Sequence, residues 1–235
     1  MAKILLIETA TKTCSVGIAD GKECIAAKEY TGADYKHAEL VHVYIDDIME
    51  ESKMEWEELD AVCVSMGPGS YTGLRIGVSA AKGFCFGTDA KLIGVTTLQS
   101  LTNQATASFP GYDYYIPMID ARRMEVFTQV FASNSDSMNA IEALIVDDSA
   151  YLDYLSKGKC LFFGDGSAKT KDYLTHENAY FQEVIPSVSG LIPTCIAKYQ
   201  NQEFEDVAYF EPFYLKDFVA GKKTQTKISK NSTQS

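Results

Sequence analysis

Several short stretches of the chain combine residue types that could handle a phosphate or a metal. The strongest is Gly67-Pro68-Gly69-Ser70-Tyr71-Thr72-Gly73. It follows an apolar run (Val62, Cys63, Val64) and leads into a helix expected from Tyr71 to about Phe86. A glycine-rich loop feeding a helix N-terminus gathers bare N–H groups and the positive end of the helix dipole, which makes an anion cradle. Ser70 is placed to cap that helix. Thr9, in the turn Glu8-Thr9-Ala10-Thr11, joins Gly67, Gly69 and Ser70 as a candidate nucleotide contact. Two stricter fingerprints fail. A Walker loop ends in Gly-Lys-Ser/Thr, but Gly73 is followed by Leu74 and Arg75. The dinucleotide pattern GxGxxG is half met by Gly67 and Gly69, and its last glycine position holds Thr72.

Other candidates are thinner. His37 and His42 lie five positions apart, which separates them by about 140° around a helix. His176 is distant in sequence, so no metal set is expected. The six cysteines include no CxxC pair, and several sit in apolar runs and read as buried thiols. Asp120 with Arg122 and Arg123 could take an anion, but more simply finishes a turn and pairs at the surface. Gly164-Asp165-Gly166 could admit a ligand to the backbone, or be a plain turn. No Ser–His–Asp or Cys–His set can be assembled, and no catalytic residue is assigned.

Charge narrows the function further. The chain has 235 residues, 21 basic against 32 acidic, for a net charge of -11. Nucleic-acid binding is dominated by Lys and Arg meeting phosphates, so this chain alone is a poor holder of RNA. A hydrophobic content of 46% suffices for a sizeable core. With no signal peptide and no long apolar run, a reducing cytoplasm is the expected location, away from any membrane.

The elements that must position these residues follow from pattern. Lys3–Glu8, Cys14–Ala19 and Glu23–Tyr30 read as three strands, the last two joined by an Asp20-Gly21 hairpin turn. A helix is expected over Tyr35–Glu51, then the acidic connection Lys53–Asp60 with the lone Trp56. After the glycine-rich helix come strand Lys91–Val95 and helix Leu98–Ala107, capped by Thr97. Phe109-Pro110-Gly111 breaks the pattern and marks a boundary. Beyond it, a hairpin is expected from Tyr114–Ile119 and Glu125–Phe131. There follow strand Ile141–Val146, helix Ser149–Lys157, strand Cys160–Phe163 and helix Leu191–Gln200. Val207–Tyr214 carries Pro212 and should be an edge strand or an extended segment. The division is thus 1–108, 109–218, and a polar tail at 219–235 that lacks the apolar content to fold.

Two helices carry more apolar or flat surface than one sheet can use. In the first, Leu40, Val41, Tyr44, Ile45 and Ile48 share a side, widened by Ala38, Val43 and Met49. The second contains Gly73, Gly77 and Gly83, each costing about 1 kcal/mol relative to Ala. With Ala80 and Ala81 these give a flat surface for close approach of another backbone, within the fold or from a partner.

The opening meander followed by helix, strand and helix resembles the first half of the actin-like ATPase fold of sugar kinases and Hsp70. There the first turn carries an Asp and a Gly near metal and phosphate. Here it reads Glu8-Thr9-Ala10-Thr11, with a longer acid and no glycine. The Gly67–Gly73 loop running into Leu74-Arg75-Ile76-Gly77, with Ala81-Lys82-Gly83 beyond, resembles the signature of the TsaB (YeaZ) family. So do Ile7-Glu8-Thr9-Ala10-Thr11, His37-Ala38-Glu39-Leu40, Ile119-Asp120-Ala121-Arg122 and Pro212-Phe213-Tyr214-Leu215-Lys216. The resemblance implies an α/β, actin-like (ASKHA, ribonuclease H-like) fold of two subdomains, each a mixed sheet flanked by helices. It implies a noncatalytic scaffold in making threonylcarbamoyl-adenosine beside the anticodon of tRNAs reading codons that start with A. The partner would be the paralogue TsaD, which carries metal, histidine pair and catalysis. TsaE, a P-loop ATPase, would bind the pair. A peptidase label on such a chain would be inherited from TsaD. ATP and threonylcarbamoyl-adenylate would be used by the complex and tRNA met only through it, with no cofactor assigned to this chain. Alone, the chain would form a homodimer. The implied interface uses the first two helices, here His37, Leu40, Val41, Tyr44, Ile48, Gly73, Arg75, Gly77, Ala80 and Ala81. A stand-alone small actin-like kinase or ATPase is the alternative.

Overall fold

The computed structural model describes residues 1–216. β1 (Lys3–Glu8) is the centre of the first lobe, and its uninterrupted apolar run has a simple cause. Both of its faces are covered, which is what makes a strand read as continuously hydrophobic. Leu5 and Ile7 point to one core, Ile4 and Leu6 to another. β2 (Cys14–Asp20) and β3 (Glu23–Tyr30) extend the sheet antiparallel on one side, in the register Ile7↔Val16 and Cys14↔Tyr30. On the other side β4 (Ala61–Gly67) and β5 (Lys91–Thr96) run parallel to it, giving the order β3-β2-β1-β4-β5.

α1 (His37–Ser52) and α2 (Tyr71–Thr88) cover the Leu5/Ile7 face. α3 (Thr97–Ser108) leads into the second lobe. There β6 (Tyr114–Asp120) is the central strand. It pairs antiparallel with β7 (Glu125–Thr128) and with the short β8 (Phe131–Ala132), and β7 pairs with β9 (Glu142–Ile145). After α4 (Leu152–Leu155), β10 (Cys160–Phe163) and β11 (Ala179–Phe181) add in parallel on the opposite side of β6. The second sheet therefore repeats the first, strand for strand, outward from its first member. This is the two-subdomain, actin-like α/β architecture expected from the sequence.

The chain then returns to the first lobe. α5 (Ile192–Gln200) lies under the first sheet, where Leu191, Ile192, Cys195 and Ile196 join Ile4, Leu6 and Ile93. So a helix that falls within the 109–218 segment completes the core of the first lobe. A strap from Phe204 to Lys216 follows; in place of the edge strand or extended segment expected over Val207–Tyr214, Val207–Tyr209 form a turn whose N–H groups the Asp206 carboxylate draws in. Glu205 bridges to Leu92 on β5, the Phe213 N–H donates to the Met66 carbonyl, and Lys82 of α2 donates to the carbonyls of Ala208 and Phe210.

Some expectations need correction. α3 is capped by Thr96, whose hydroxyl accepts the Gln99 N–H; Thr97 is its first helical residue. α1 starts at His37, two residues later than expected. The helix expected at Ser149–Lys157 shrinks to α4, because the Asp147 carboxylate takes both the N–H and the hydroxyl of Ser149 and Tyr151 has φ 60°. Such side-chain bonds compete with a first helical turn. Trp56 belongs to a short 3-10 turn and stacks on Phe84, with ring centroids 5.0 Å apart. Asp120 pairs with Lys169 rather than with its neighbouring arginines. Strand β11 was not anticipated. The tail expected at 219–235 lies outside the described residues. None of the six cysteines is in a disulfide; Cys24 is exposed and the rest are buried. Among the described residues, no helix is long and apolar enough to cross a membrane.

Candidate functional site

The turn after β1 and the start of α2 are pressed together, and this decides the fate of the candidate anion cradle. The Ser70 N–H donates to the Ala10 carbonyl at 2.6 Å, and the Ser70 hydroxyl accepts the Gly73 N–H at 3.3 Å. The Thr9 hydroxyl, fully buried, donates to the Gly73 carbonyl at 2.8 Å. A Cβ at Gly69 would strike the Ala10 carbonyl oxygen, one at Gly73 the Thr9 carbonyl oxygen, and one at Gly77 the Thr9 hydroxyl. Thr9, Gly67, Gly69 and Ser70 thus belong to a loop-on-helix contact filled by the chain itself. Gly67 has φ +113°, and a Cβ there would meet the Phe213 carbonyl of the strap. The glycines of α2 are explained at Gly73 and Gly77 by intrachain approach of a backbone turn.

Packing within the first lobe takes up much of the surface expected at the interface. His37, Val41, Ile48, Gly73, Gly77 and Ala81 are buried within the first lobe. His37 donates from Nε2 to the Thr11 carbonyl at 2.7 Å, and burial lowers its pKa. Leu40 and Tyr44 are half-buried against the same core. Only Arg75 and Ala80 of the ten reach a surface groove, because the apolar stripe of α1 is consumed by its own sheet.

That groove is a shallow, open trough of about 710 Å³ between α1 and α2. Ala38 and His42 of α1 form one wall; Arg75, Ile76, Ser79, Ala80, Gly83 and Phe84 of α2 form the other wall and floor. Arg75, Ser79 and Gly83 recur at spacing four, as do Ile76, Ala80 and Phe84, so two adjacent rows of α2 face it. Gly83 has nothing within 4 Å of where a Cβ would stand. It is the one α2 glycine, of Gly73, Gly77 and Gly83, whose missing side chain serves open space in the groove. The Arg75 guanidinium lies 4.2 Å from the Tyr71 ring and donates to the Tyr214 hydroxyl at 3.1 Å, which ties the groove's rim to the strap. Phe86, one turn beyond Lys82, and Val43 are exposed large apolar side chains on the same two helices. Sequence periodicity marks Ala38, on the widened apolar side of α1, but misses His42, Ile76, Ser79 and Phe84 as a surface. The only signal for the rest was the run of small residues at spacing four.

A second concavity of about 500 Å³ lies between the lobes. Lys12, Thr13 and Thr31 face it from the first lobe, and Gly164, Ser167 and Lys171 from the second, with Phe181 and Val184–Pro186 as an apolar wall. Gly164 has φ +92°, and a Cβ there would strike the Met118 carbonyl oxygen. The Gly164–Gly166 loop is therefore a turn pressed on the end of β6. Among the described residues, no cluster of three or more His, Cys, Asp or Glu side chains could hold a metal ion. His42 faces the groove beside Phe84, and His176 accepts the Asn178 N–H in the second lobe.

Residues 31–220 match the family model of TsaD, tRNA N6-adenosine threonylcarbamoyltransferase. The chain is 26% identical to the tRNA threonylcarbamoyladenosine biosynthesis protein TsaB of Escherichia coli, over 94% of this chain and 97% of that one. It is 29% identical to the Bacillus subtilis protein of the same name, over 80% of this chain and 76% of that one. Its fold is similar to that of YeaZ from Pseudomonas aeruginosa, with a TM-score of 0.76 at 20% identity, covering 92% of this chain and 100% of that one.

Proposed function

The chain belongs to the TsaB (YeaZ) family within the TsaD-type threonylcarbamoyltransferases, and on that premise we propose that it is a noncatalytic subunit of tRNA threonylcarbamoyladenosine biosynthesis that works by docking a TsaD-type catalytic subunit in the α1/α2 groove. The observation that carries this reading is the groove itself. Apart from His42 and Arg75 its lining is apolar or small, it is covered by neither lobe nor strap, and it lies on the two longest helices of the described chain. Exposed apolar surface of this kind marks a protein contact. A helix of the partner laid between α1 and α2 would meet Ile76, Ala80 and Phe84. In the absence of that partner a second copy would take its place, giving a homodimer. The anion cradle filled by Ala10 and the net charge of -11 agree with ATP, threonylcarbamoyl-adenylate and tRNA being handled by the complex, including a TsaE-type ATPase, rather than by this chain.

The test is co-purification of the full chain with the TsaD-type subunit of the same organism, with wild type and Gly83→Trp side by side. The indole would occupy the groove without touching the core. Loss of the complex and of tRNA modification, with an unchanged melting temperature, is the expected result. Full complex formation by Gly83→Trp would remove the groove from the interface. The interlobe cleft, lined by Lys12 and Lys171 beside an apolar wall, favours a second reading as a small actin-like kinase or ATPase. Calorimetry with ATP and magnesium on the isolated chain decides between them: tight binding with turnover would replace the docking reading.

A further inference from the structure

At the lobe junction, a set of fully buried polar side chains surrounds the end of β1. Glu8 is 0% exposed. Its Oε1 accepts the Ala10 N–H at 2.8 Å, while its Oε2 has no partner among the described residues. Across the sheet it faces Ser15, whose hydroxyl accepts the Val188 N–H from the segment before α5. Ser65, at the end of β4, lies beside the carboxyl and is bonded to Thr97 at 2.9 Å. An ionised carboxylate here would have only the Ala10 N–H and the neighbouring Ser65 hydroxyl to offset its charge, in a place water does not reach, and burial outweighs both. A protonated one turns Oε2 into an O–H donor, and a neighbouring serine hydroxyl can accept it.

We propose that Glu8 works as a neutral carboxylic acid, a proton-carrying positioning residue whose ionisation loosens the turn on which α1 and α2 are seated. The turn it anchors makes all the key contacts: the Ala10 N–H is bonded to Glu8 itself, the Ala10 carbonyl to Ser70, the Thr9 hydroxyl to Gly73, and the Thr11 carbonyl to His37. Titratable groups around it reinforce neutrality. Cys14 on β2 and Cys63 on β4 are thiols whose burial pushes their own pKa values up, and Glu29 on β3 is a like charge. None of the three is a cation. His37, on the far side of the turn, is shifted down by burial and stays uncharged. Desolvation pushes the Glu8 carboxyl up to about 7, in the same direction as the geometry. Folding then takes up a proton, and the docking face becomes firmer as pH falls from 8 toward 6. This last consequence rests on the groove being the docking site; the protonation of Glu8 does not.

Infrared spectroscopy of the full chain should show a protonated carboxylic C=O band at mildly acid pH that fades as pH passes about 7. Glu8→Gln, which supplies an N–H donor without a charge, should lack that band and keep the same fold. Its melting temperature should be flat over the range where the wild type falls. Affinity for the TsaD-type subunit should drop roughly tenfold for wild type across that range and stay constant for the variant. If Glu8→Gln does not fold, carbon-13 glutamate in the wild type serves instead: one carboxyl titrating near 7 supports the proposal. Every carboxyl titrating below about 5, or an unchanged pH slope in Glu8→Gln, overturns it. A complex whose affinity ignores pH while the carboxyl titrates near 7 overturns the coupling to docking. No complex at any pH sinks the docking reading and leaves the carboxyl measurements to decide Glu8 on their own.

Discussion

The two lobes share one strand plan and differ in what connects the strands. In the first, the third strand is joined to the fourth by α1 and the fourth to the fifth by α2, of 16 and 18 residues. In the second, the matching connections hold only α4, of four residues, and a three-residue 3-10 turn at Ala168–Thr170. Both lobes press a glycine loop after the fourth strand onto the end of the first. Gly69 and Gly73 meet Ala10 and Thr9; Gly164 and Gly166 meet Met118 and the Ile119–Asp120 peptide. What both lobes keep is therefore packing chemistry. What only the first keeps is a pair of long neighbouring helices with a trough between them. One strand plan carries long crossovers in the first lobe and short ones in the second, and the docking reading rests on the long set.

The largest effect should come from breaking the shared feature. Gly77→Leu forces a side chain into the Thr9 hydroxyl and should cost more than about 4 kcal/mol, enough to unfold the first lobe. Gly164→Val in the second lobe belongs to the same class, since it adds strain at φ +92° to a clash with Met118. Chemical denaturation of both variants tests whether the contact is equally critical in each lobe; full stability of either would end the parallel. Next comes Glu8, which has no counterpart in an apolar setting in the second lobe, where Asp120 is exposed and paired with Lys169. Its carboxyl is raised from 4.5 to about 7. The stabilisation is complete below pH 4.5 and is lost as pH rises to about 7, by about 3 kcal/mol in all. Denaturation curves at a series of pH values should show that slope in wild type and not in Glu8→Gln.

Gly83→Trp should cost about 2 kcal/mol or more in association, by filling the trough present only on the first lobe. Its folding stability should stay within about 0.5 kcal/mol of wild type. Titration calorimetry against the TsaD-type subunit separates the two quantities. Smallest of all is Lys28→Met. Lys28 ties β3 to Asp47 and Glu51 of α1, yet these partners are solvent-exposed. Such pairs contribute little and fade in salt, so the melting temperature should barely move in either condition.

How much of this was legible in the sequence depends on the length scale. The apolar run of Lys3–Glu8 and the Ser70 cap are local and each took its expected form; the hairpin formed too, with Gly21-Lys22 rather than Asp20-Gly21 as its loop, since Asp20 pairs with Glu23. The repeat of the strand order was not visible, because the second lobe preserves pairing geometry and not sequence spacing. The groove was half visible. Apolar periodicity marks the face of a helix that its own sheet takes, so Val41, Ile45 and Ile48 identified the core rather than the partner surface. Much of the surface lay on small residues that carry little apolar periodicity: Ala38, Ser79, Ala80 and Gly83. The glycines were the sharper lesson. Gly77 and Gly83 look alike in sequence, yet one avoids a clash with Thr9 and the other borders empty space. Only the position of a turn more than sixty residues upstream tells them apart.

The strap has a consequence of its own. β5 is an outer strand of the first sheet, and the Glu205 N–H, donated to the Leu92 carbonyl at 2.9 Å, sits along that margin. The same segment reaches α2 through Lys82 and the second lobe through Lys216 and Glu125. Clipping the chain ahead of Phe204 would bare a strand flank able to template pairing with another molecule, so a shortened product should come out of solution as aggregate while the uncut one stays dispersed.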